Sequence, residues 1–436
     1  MDDFSEEIQI AENNSDSQKE RAKNFSENLK QKFSWRVTFA ALRYRNYRLW
    51  FWGQMTSLFG TWMQTTALAF FVFELTHSPA FLGYVGFATG IPAWLFTFYA
   101  GVIADRYPRR TILLFTQSIM MFLAFLIAAL TFTHIITPGL ILMLAFFLGA
   151  ANSFEAPARQ AFVNELVARE ELINAIALNS TMFNTATAIG PAIAGITYAL
   201  FGPAWCFTIN GISFLAVIGN LLQMKLPRVI KVKSEKSIFK DIKEGFTYLK
   251  SQKNIVVIML VVVNLNFFGM NLVTIFPAWA VNILHGDATT NGFLQSARGL
   301  GAVICALIIA TVNKYIVRGN VLSITALTLP VLLFAFSFNR SLWLSLTLLM
   351  AYGAAIITMF NLANGLIQTM VTEEFRGRIM SIYSFGFFAL FPVGALWIGM
   401  LAELFGSPTA ILINSIILIL ISGLIVLRYP SLRTLN

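Results

Sequence analysis

Few side chains in this chain have types and spacing suited to chemistry, and those few stand out by position. Asp105, Arg106, Arg109 and Arg110 crowd the stretch GVIADRYPRR, between two long apolar runs. Arg298 stands alone inside another such run. An arginine in hydrocarbon is costly unless it meets a cavity or a partner, so Arg298 either recognises an anion or braces the fold through an ion pair or carbonyl contact. Glu74 and Glu403 fall near one set of span ends, Glu155 near the other, and no acid occupies the exact midplane. His77, His134 and His285 fall in predicted external loops without metal-ligand spacing, which leaves metal or pH sensing unsupported. Cys206 and Cys305 lie in different halves and read as packing residues. No Ser/His/Asp set, HExxH, phosphate-binding glycine loop or CxxC occurs, so the chain reads as no enzyme and implies no metal or other cofactor.

The elements that must position these residues are helices. Of 436 residues, 57% are hydrophobic and 12% charged, outside the range of a soluble domain. In lipid every backbone polar group must be satisfied within its own segment, and about 20 apolar residues cross the hydrocarbon core. Twelve stretches qualify: 47–74, 79–104, 111–133, 138–158, 172–200, 204–226, 255–283, 289–312, 320–338, 341–369, 379–404 and 407–427. The expected fold class is all-α, a polytopic membrane protein.

The net charge of +10 is an orientation signal rather than a nucleic-acid footprint. With both termini in the cytoplasm, 29 of the 31 Lys and Arg fall on the cytoplasmic side, and only Arg298 and Arg340 do not. Residues 1–45 are expected to form a cytoplasmic tail and entry segment. Its first 33 residues carry eight acids and five bases among Ser, Asn and Gln, which predicts disorder without a signal peptide.

The chain also repeats itself. At an offset of 204, Gly149 meets Gly353, Gly190 meets Gly394, Gly195 meets Gly399 and Asn210 meets Asn414. At an offset of 209, Gly83 meets Gly292, Gly90 meets Gly299 and Arg109 meets Arg318. Two six-helix bundles, 46–226 and 255–428, therefore enter the membrane in the same orientation, and parallel repeats bring a site to the midplane between them. A short tail, 429–436, follows. In the joining segment, 227–254, Ile238, Ile242, Phe246 and Leu249 share one helical stripe, which predicts an amphipathic helix at the inner membrane surface.

These residues resemble the major facilitator superfamily from Tyr44 to Tyr429. Gly101, Asp105, Arg106, Arg109 and Arg110 match its signature loop between the second and third helices, with Pro108 in place of a glycine. TATAIGPAIAG, through Gly190, Pro191 and Gly195, is similar to the antiporter motif of its exporters, although packing alone would also explain small residues there. RNYRLWFWGQ, ELTHSPAFLG, EAPARQAFVNELV, LINAIALNS and EEFRGRIMSIY resemble the branch that holds the enterobactin exporter and the macrolide efflux proteins. That resemblance implies the major facilitator fold of twelve transmembrane helices in two parallel repeats. It also implies a cytoplasmic gate in which Asp105 docks on the eleventh helix near Gly377 and Arg378, with Glu155 and Arg159 joining the cluster. The arginines alone would also serve orientation.

Helices one, four, seven and ten line the cavity in that superfamily. Gln54, Gln64 and Thr65, then Asn152, Asn264 and Asn266, and Asn361 and Asn364 lie there at central depth, and with Trp62, Phe154 and Arg298 they are the candidate contacts for a substrate. The implied function is export of a siderophore or drug-like molecule across the inner membrane by alternating access, as a monomer exchanging cargo for protons. An importer or lipid translocator of the same fold is the alternative. A membrane-embedded enzyme or a non-transporting receptor is more remote.

Overall fold

A computed structural model describes residues 39–226, 238–312 and 317–435. The expected disordered tail, residues 227–237 of the joining segment and residues 313–316 lie outside the described residues.

Every regular element among the described residues is helical. The chain runs through α1 (Arg45–Thr76), α2 (Pro79–Arg106), α3 (Arg109–Phe132), α4 (Pro138–Phe162), α5 (Leu172–Phe201) and α6 (Pro203–Gln223). A short amphipathic helix, α7 (Ile238–Ser251), precedes α8 (Lys253–Phe268), α9 (Phe276–Asn282), α10 (Ala288–Val312) and α11 (Arg318–Phe338). The last three are α12 (Leu342–Met370), α13 (Glu373–Phe405) and α14 (Ser407–Arg428).

Local sequence explains where these helices start and stop. Pro79, Pro138 and Pro203 each occupy the first turn, where the missing N–H costs nothing. Ser78 and Thr137 cap the N-termini of α2 and α4. Gly202 and Gly406 end α5 and α13 at φ 84° and 81°, conformations that suit glycine. The three histidines take a similar role: His77, His134 and His285 all adopt left-handed φ, between 48° and 56°, where α1, α3 and α9 terminate.

Among the described residues, eleven helices or helix pairs are long and apolar enough to cross a membrane. Helix α5, 30 residues long, is not among them. Its first half carries Asn174, Asn179, Ser180, Thr181, Asn184 and Thr185, and Thr187 follows, which dilutes its hydropathy without adding charge. It has the length of a span and packs between α1 and α10, so the architecture is consistent with twelve.

The seventh expected span differs from its expectation. A continuous helix over 255–283 is interrupted after Phe268, where a 3-10 segment, Met270–Ile275, separates α8 from α9. The interruption is held by amide side chains in place of ladder bonds. Asn271 Nδ2 donates to the carbonyls of Asn266 and Phe267 at 3.1 and 3.0 Å, and Asn414 Nδ2 from α14 donates to the carbonyl of Phe268 at 3.1 Å. Such re-satisfaction is what permits irregular backbone at membrane depth.

The two halves meet along two seams, α2 against α13 and α5 against α10. The glycines in register between the repeats line them. A Cβ on Gly399 would stand 2.8 Å from Pro79 O, and one on Gly83 would stand 2.8 Å from Ala395 O. In the second seam a Cβ on Gly195 would stand 2.5 Å from Ala288 O, and one on Gly299 would stand 2.7 Å from Thr187 O. Backbone touches backbone, which larger residues would prevent. The contacts at Gly83, Gly399 and Gly195 lie toward the histidine end, and that at Gly299 lies at mid-depth. At the opposite end, which carries the basic loops, a Cβ on Gly101 in α2 or Gly377 in α13 would meet nothing from another element within 4 Å, and Tyr99 is 67% exposed. The halves are in tight contact from the histidine end to mid-depth, and no such contact is made at Gly101 or Gly377.

Candidate functional site

The last half holds a group of buried polar atoms without partners. Arg298 lies in the middle of α10, half-buried, and its Nε has no hydrogen-bond partner among the described residues. It interacts electrostatically with Tyr352 of α12, whose buried hydroxyl also has none. That hydroxyl reaches the α8 interruption, within 3.3 Å of where a Cβ on Gly269 would stand. Asn264 Nδ2, Asn271 Oδ1, Trp279 Nε1 and both side-chain polar atoms of Asn291 are in the same condition. Asn291, Gln295 and Arg298 follow i, i+4, i+7 spacing and so share a face of α10. Each buried polar atom left unmade costs about 1–3 kcal/mol, so such a group points to a ligand or to water.

The first half pairs part of its polar interior, although Trp50 Nε1, Gln54 Oε1, Gln117 Oε1 and Asn179 Oδ1 also lack partners among the described residues. Asn210 Nδ2 donates to Gln64 Oε1 at 2.7 Å, joining α6 to α1. Gln117 Nε2 donates to Glu155 Oε1 at 3.4 Å, and Arg159 Nε lies 3.0 Å from the same oxygen. Tyr198 donates to Glu74. One apolar cavity is small enough to count as packing and is lined by Gln64, Leu68 and Leu144.

The Gly190–Pro191 stretch acts at the seam between halves. Pro191 has no N–H to give, and the next amide, Ala192, donates to Ser296 Oγ of α10 at 2.9 Å. Gly190 closes on Trp62, whose ring lies edge-on to Phe183 at 6.0 Å.

The comparisons with known proteins agree with this geometry. A family described as transmembrane secretion effector, a subdivision of the major facilitator superfamily, matches residues 36–435. The chain belongs to that family. It is 24% identical to the staphyloferrin A transporter of Staphylococcus aureus, across 80% of this chain and 87% of that one. It is 20% identical to macrolide efflux protein A of Streptococcus pyogenes, across 87% and 96%, and 24% identical to the enterobactin exporter of Citrobacter koseri, across 82% and 86%. In fold it is similar to a bacterial homologue of the lysosomal transporter Spinster, with a TM-score of 0.71 and 13% identity over 90% of this chain and 97% of that one. A D-xylose-proton symporter follows at 0.67, with 12% identity over 86% and 96%. The chain is a polytopic membrane protein with a transporter fold, and its relatives are transporters, not enzymes.

Placed on this transporter, the expected site residues separate into groups. Thr65, Asn152 and Asn361 are exposed at central depth, on α1, α4 and α12. Asn364 accepts from Gln368 one turn along α12. Asn264 and Asn266 are buried beside the α8 interruption, and Asn264 also lines a cavity of about 520 Å³ with Val263, Phe267 and Leu390. Gln54 is buried on α1, and Phe154 packs on Phe96 of α2 at 5.8 Å. Gln64 and Trp62 are engaged in packing, as above.

At the basic end, Arg109 pairs with Glu165 at 2.5 Å and Arg110 donates to the carbonyl of Leu222 at 2.9 Å, while Arg106 is exposed. Arg378 Nη1 lies 2.9 Å from Glu244 of α7 and sits over the Phe375 ring, against which Tyr248 stacks at 4.4 Å. The amphipathic helix thus docks on the start of α13. The side chain of Asp105 lies outside the described residues. Sequence reasoning missed Glu165, Glu244, Ser296 and Tyr352, whose partners lie far away along the chain. The Asn291, Gln295, Arg298 spacing was the one signal available for the α10 face.

Proposed function

We propose that this chain exports a small organic anion across the inner membrane by alternating access, in exchange for protons, with both termini on the basic, cytoplasmic side. It works as a monomer. The observation that carries this reading is Arg298, a lone cation at central depth with an unpartnered Nε beside the unpartnered Tyr352 hydroxyl. An anionic or phenolic cargo would satisfy both. The exposed Thr65, Asn152 and Asn361 support a wet cleft between the halves, because polar side chains in mid-membrane favour a cavity over lipid.

The names of the relatives supply the candidate cargoes, a siderophore or a macrolide. Glycines at the seams are consistent with rocking of one half on the other. In the proposed cycle the structure is the cytoplasm-open conformer, and Asp105 meets the start of α13, at Gly377 and Arg378, in the other one.

Everted membrane vesicles energised with a proton gradient test the proposal. Staphyloferrin A, enterobactin and a macrolide are offered in turn, and accumulation of one of them that collapses when the gradient is discharged is the expected result. Uptake in right-side-out vesicles alone would instead make the protein an importer.

A further inference from the structure

The two seams between the halves are built alike from glycines in register, yet they differ at their outermost corners. Where α2 meets the end of α13, Glu403 reaches across the halves. Its Oε2 accepts from Ser78 Oγ at 2.7 Å and from the Ala80 N–H at 3.2 Å. Ser78 Oγ meanwhile accepts from the Phe81 N–H at 3.2 Å, so one hydroxyl caps its own helix and ties it to the other half. The carboxylate therefore sits on the unpaired N–H groups of the α2 N-terminus, where negative charge is favoured.

At the equivalent corner, where α10 meets the end of α5, the repeat puts Ala199 in the place of Glu403 and Asp287 in the place of Ser78. Asp287 caps its own helix through the Thr290 N–H at 3.0 Å and reaches no other half. An acid spans the halves at one corner only.

We propose that Glu403 is the site at which an external proton acts on the transporter. Ionised, it holds the histidine end shut. Protonated, it keeps a weaker hydrogen bond, loses its attraction to the α2 N-terminus, and that end opens. The proton comes from outside solvent, since Glu403 is exposed and Ser78 is only half-buried. The titratable groups around it are few: α13 has no other charge near this end, α2 and α14 have none near their starts, and the adjoining turn brings only His77, with Glu74 on α1 held by Tyr198. The assignment of this end to the outside rests on the orientation proposed above.

The test reads conformation and needs no cargo. Spin labels at Ile135→Cys and Trp343→Cys, both exposed at the histidine end of opposite halves, report its width in lipid vesicles with Cys206 and Cys305 replaced by Ser. Acidifying the wild type from about pH 7 to about pH 3, through and below the ordinary glutamate value of about 4.3, is expected to raise the wide population about fivefold. Glu403→Gln is expected to show that raised population already at about pH 7 and to lose the acid response. Ser78→Ala shifts the population the same way by a smaller factor, and it keeps the test open should the Gln variant fold poorly. His77→Gln, Glu74→Gln and Asp287→Asn keep the wild-type response. Retention of the acid response in Glu403→Gln, or its absence in the wild type, overturns the proposal. If the response holds but a proton gradient drives no transport in the vesicle assay, the coupling reading fails and the latch stands.

Discussion

The first and last halves are copies in topology and differ in what their matched polar side chains do. Asn210 and Asn414 occupy the same position in the repeat. Asn210 pairs with Gln64 across two intact helices, whereas Asn414 holds the carbonyl of Phe268 at the α8 interruption. Likewise Gly149 closes on the backbone of Thr89, and its counterpart Gly353 closes on the backbone of Arg298. The same contact therefore presents a threonine in one half and a cation in the other. The comparison teaches that the glycine framework was kept in both copies, because it sets helix approach, while the polar interior diverged. Both copies leave some buried amide atoms unpaired, but among the described residues only the last half sets an unpaired guanidinium nitrogen at mid-span beside an unpaired phenol, the pair that an anion would satisfy.

Substitutions on matched sides of this comparison should fail in different ways. The largest effect is expected from Arg298→Gln. Losing a charged hydrogen bond of about 2 kcal/mol should cut transport about thirtyfold while the protein stays folded and in the membrane, read by vesicle uptake per folded molecule. Asn210→Ala should do the reverse. It strands Gln64 in the interior and should cost about 1–3 kcal/mol of stability, seen as a lower melting temperature in detergent, with uptake per folded molecule within about twofold of wild type. Smallest is Tyr352→Phe, which removes a hydroxyl that has no partner in the empty protein. Stability should move by less than about 0.5 kcal/mol, and cargo affinity should fall by about fivefold. A melting temperature that drops in Tyr352→Phe would erase the contrast between the halves.

Much of this architecture was legible in the sequence, and its limits have physical causes. The all-helical class, most of the spans and the glycine register were readable because lipid demands continuous apolar runs and close helix approach demands small residues. The partners of those glycines were not, since Gly83 and Gly399 are brought together only by the fold. The α8 interruption was hidden because VVVNLNFFGMNLVTIF reads as one apolar run, and the amides that support the break come partly from α14. Arg298 announced itself as a lone charge in a span. Tyr352 did not, because a tyrosine in an apolar helix reads as packing. Gln64 was legible as a polar residue at central depth, but only the structure distinguishes its pairing with Asn210 from an open cavity wall. The α7 helix was expected from its apolar stripe, yet its grip on Arg378 through Glu244 involves residues 134 positions apart and left no local trace.

The central claim is that cargo binds against the unpaired wall of the last half. The measurement that tests it most directly is the affinity of the purified protein for whichever of staphyloferrin A, enterobactin or a macrolide it transports, compared among wild type, Arg298→Gln and Asn210→Ala. The account predicts that Arg298→Gln binds at least tenfold more weakly and that Asn210→Ala binds as wild type does. Equal affinity in wild type and Arg298→Gln, with weakened binding in Asn210→Ala, would contradict it.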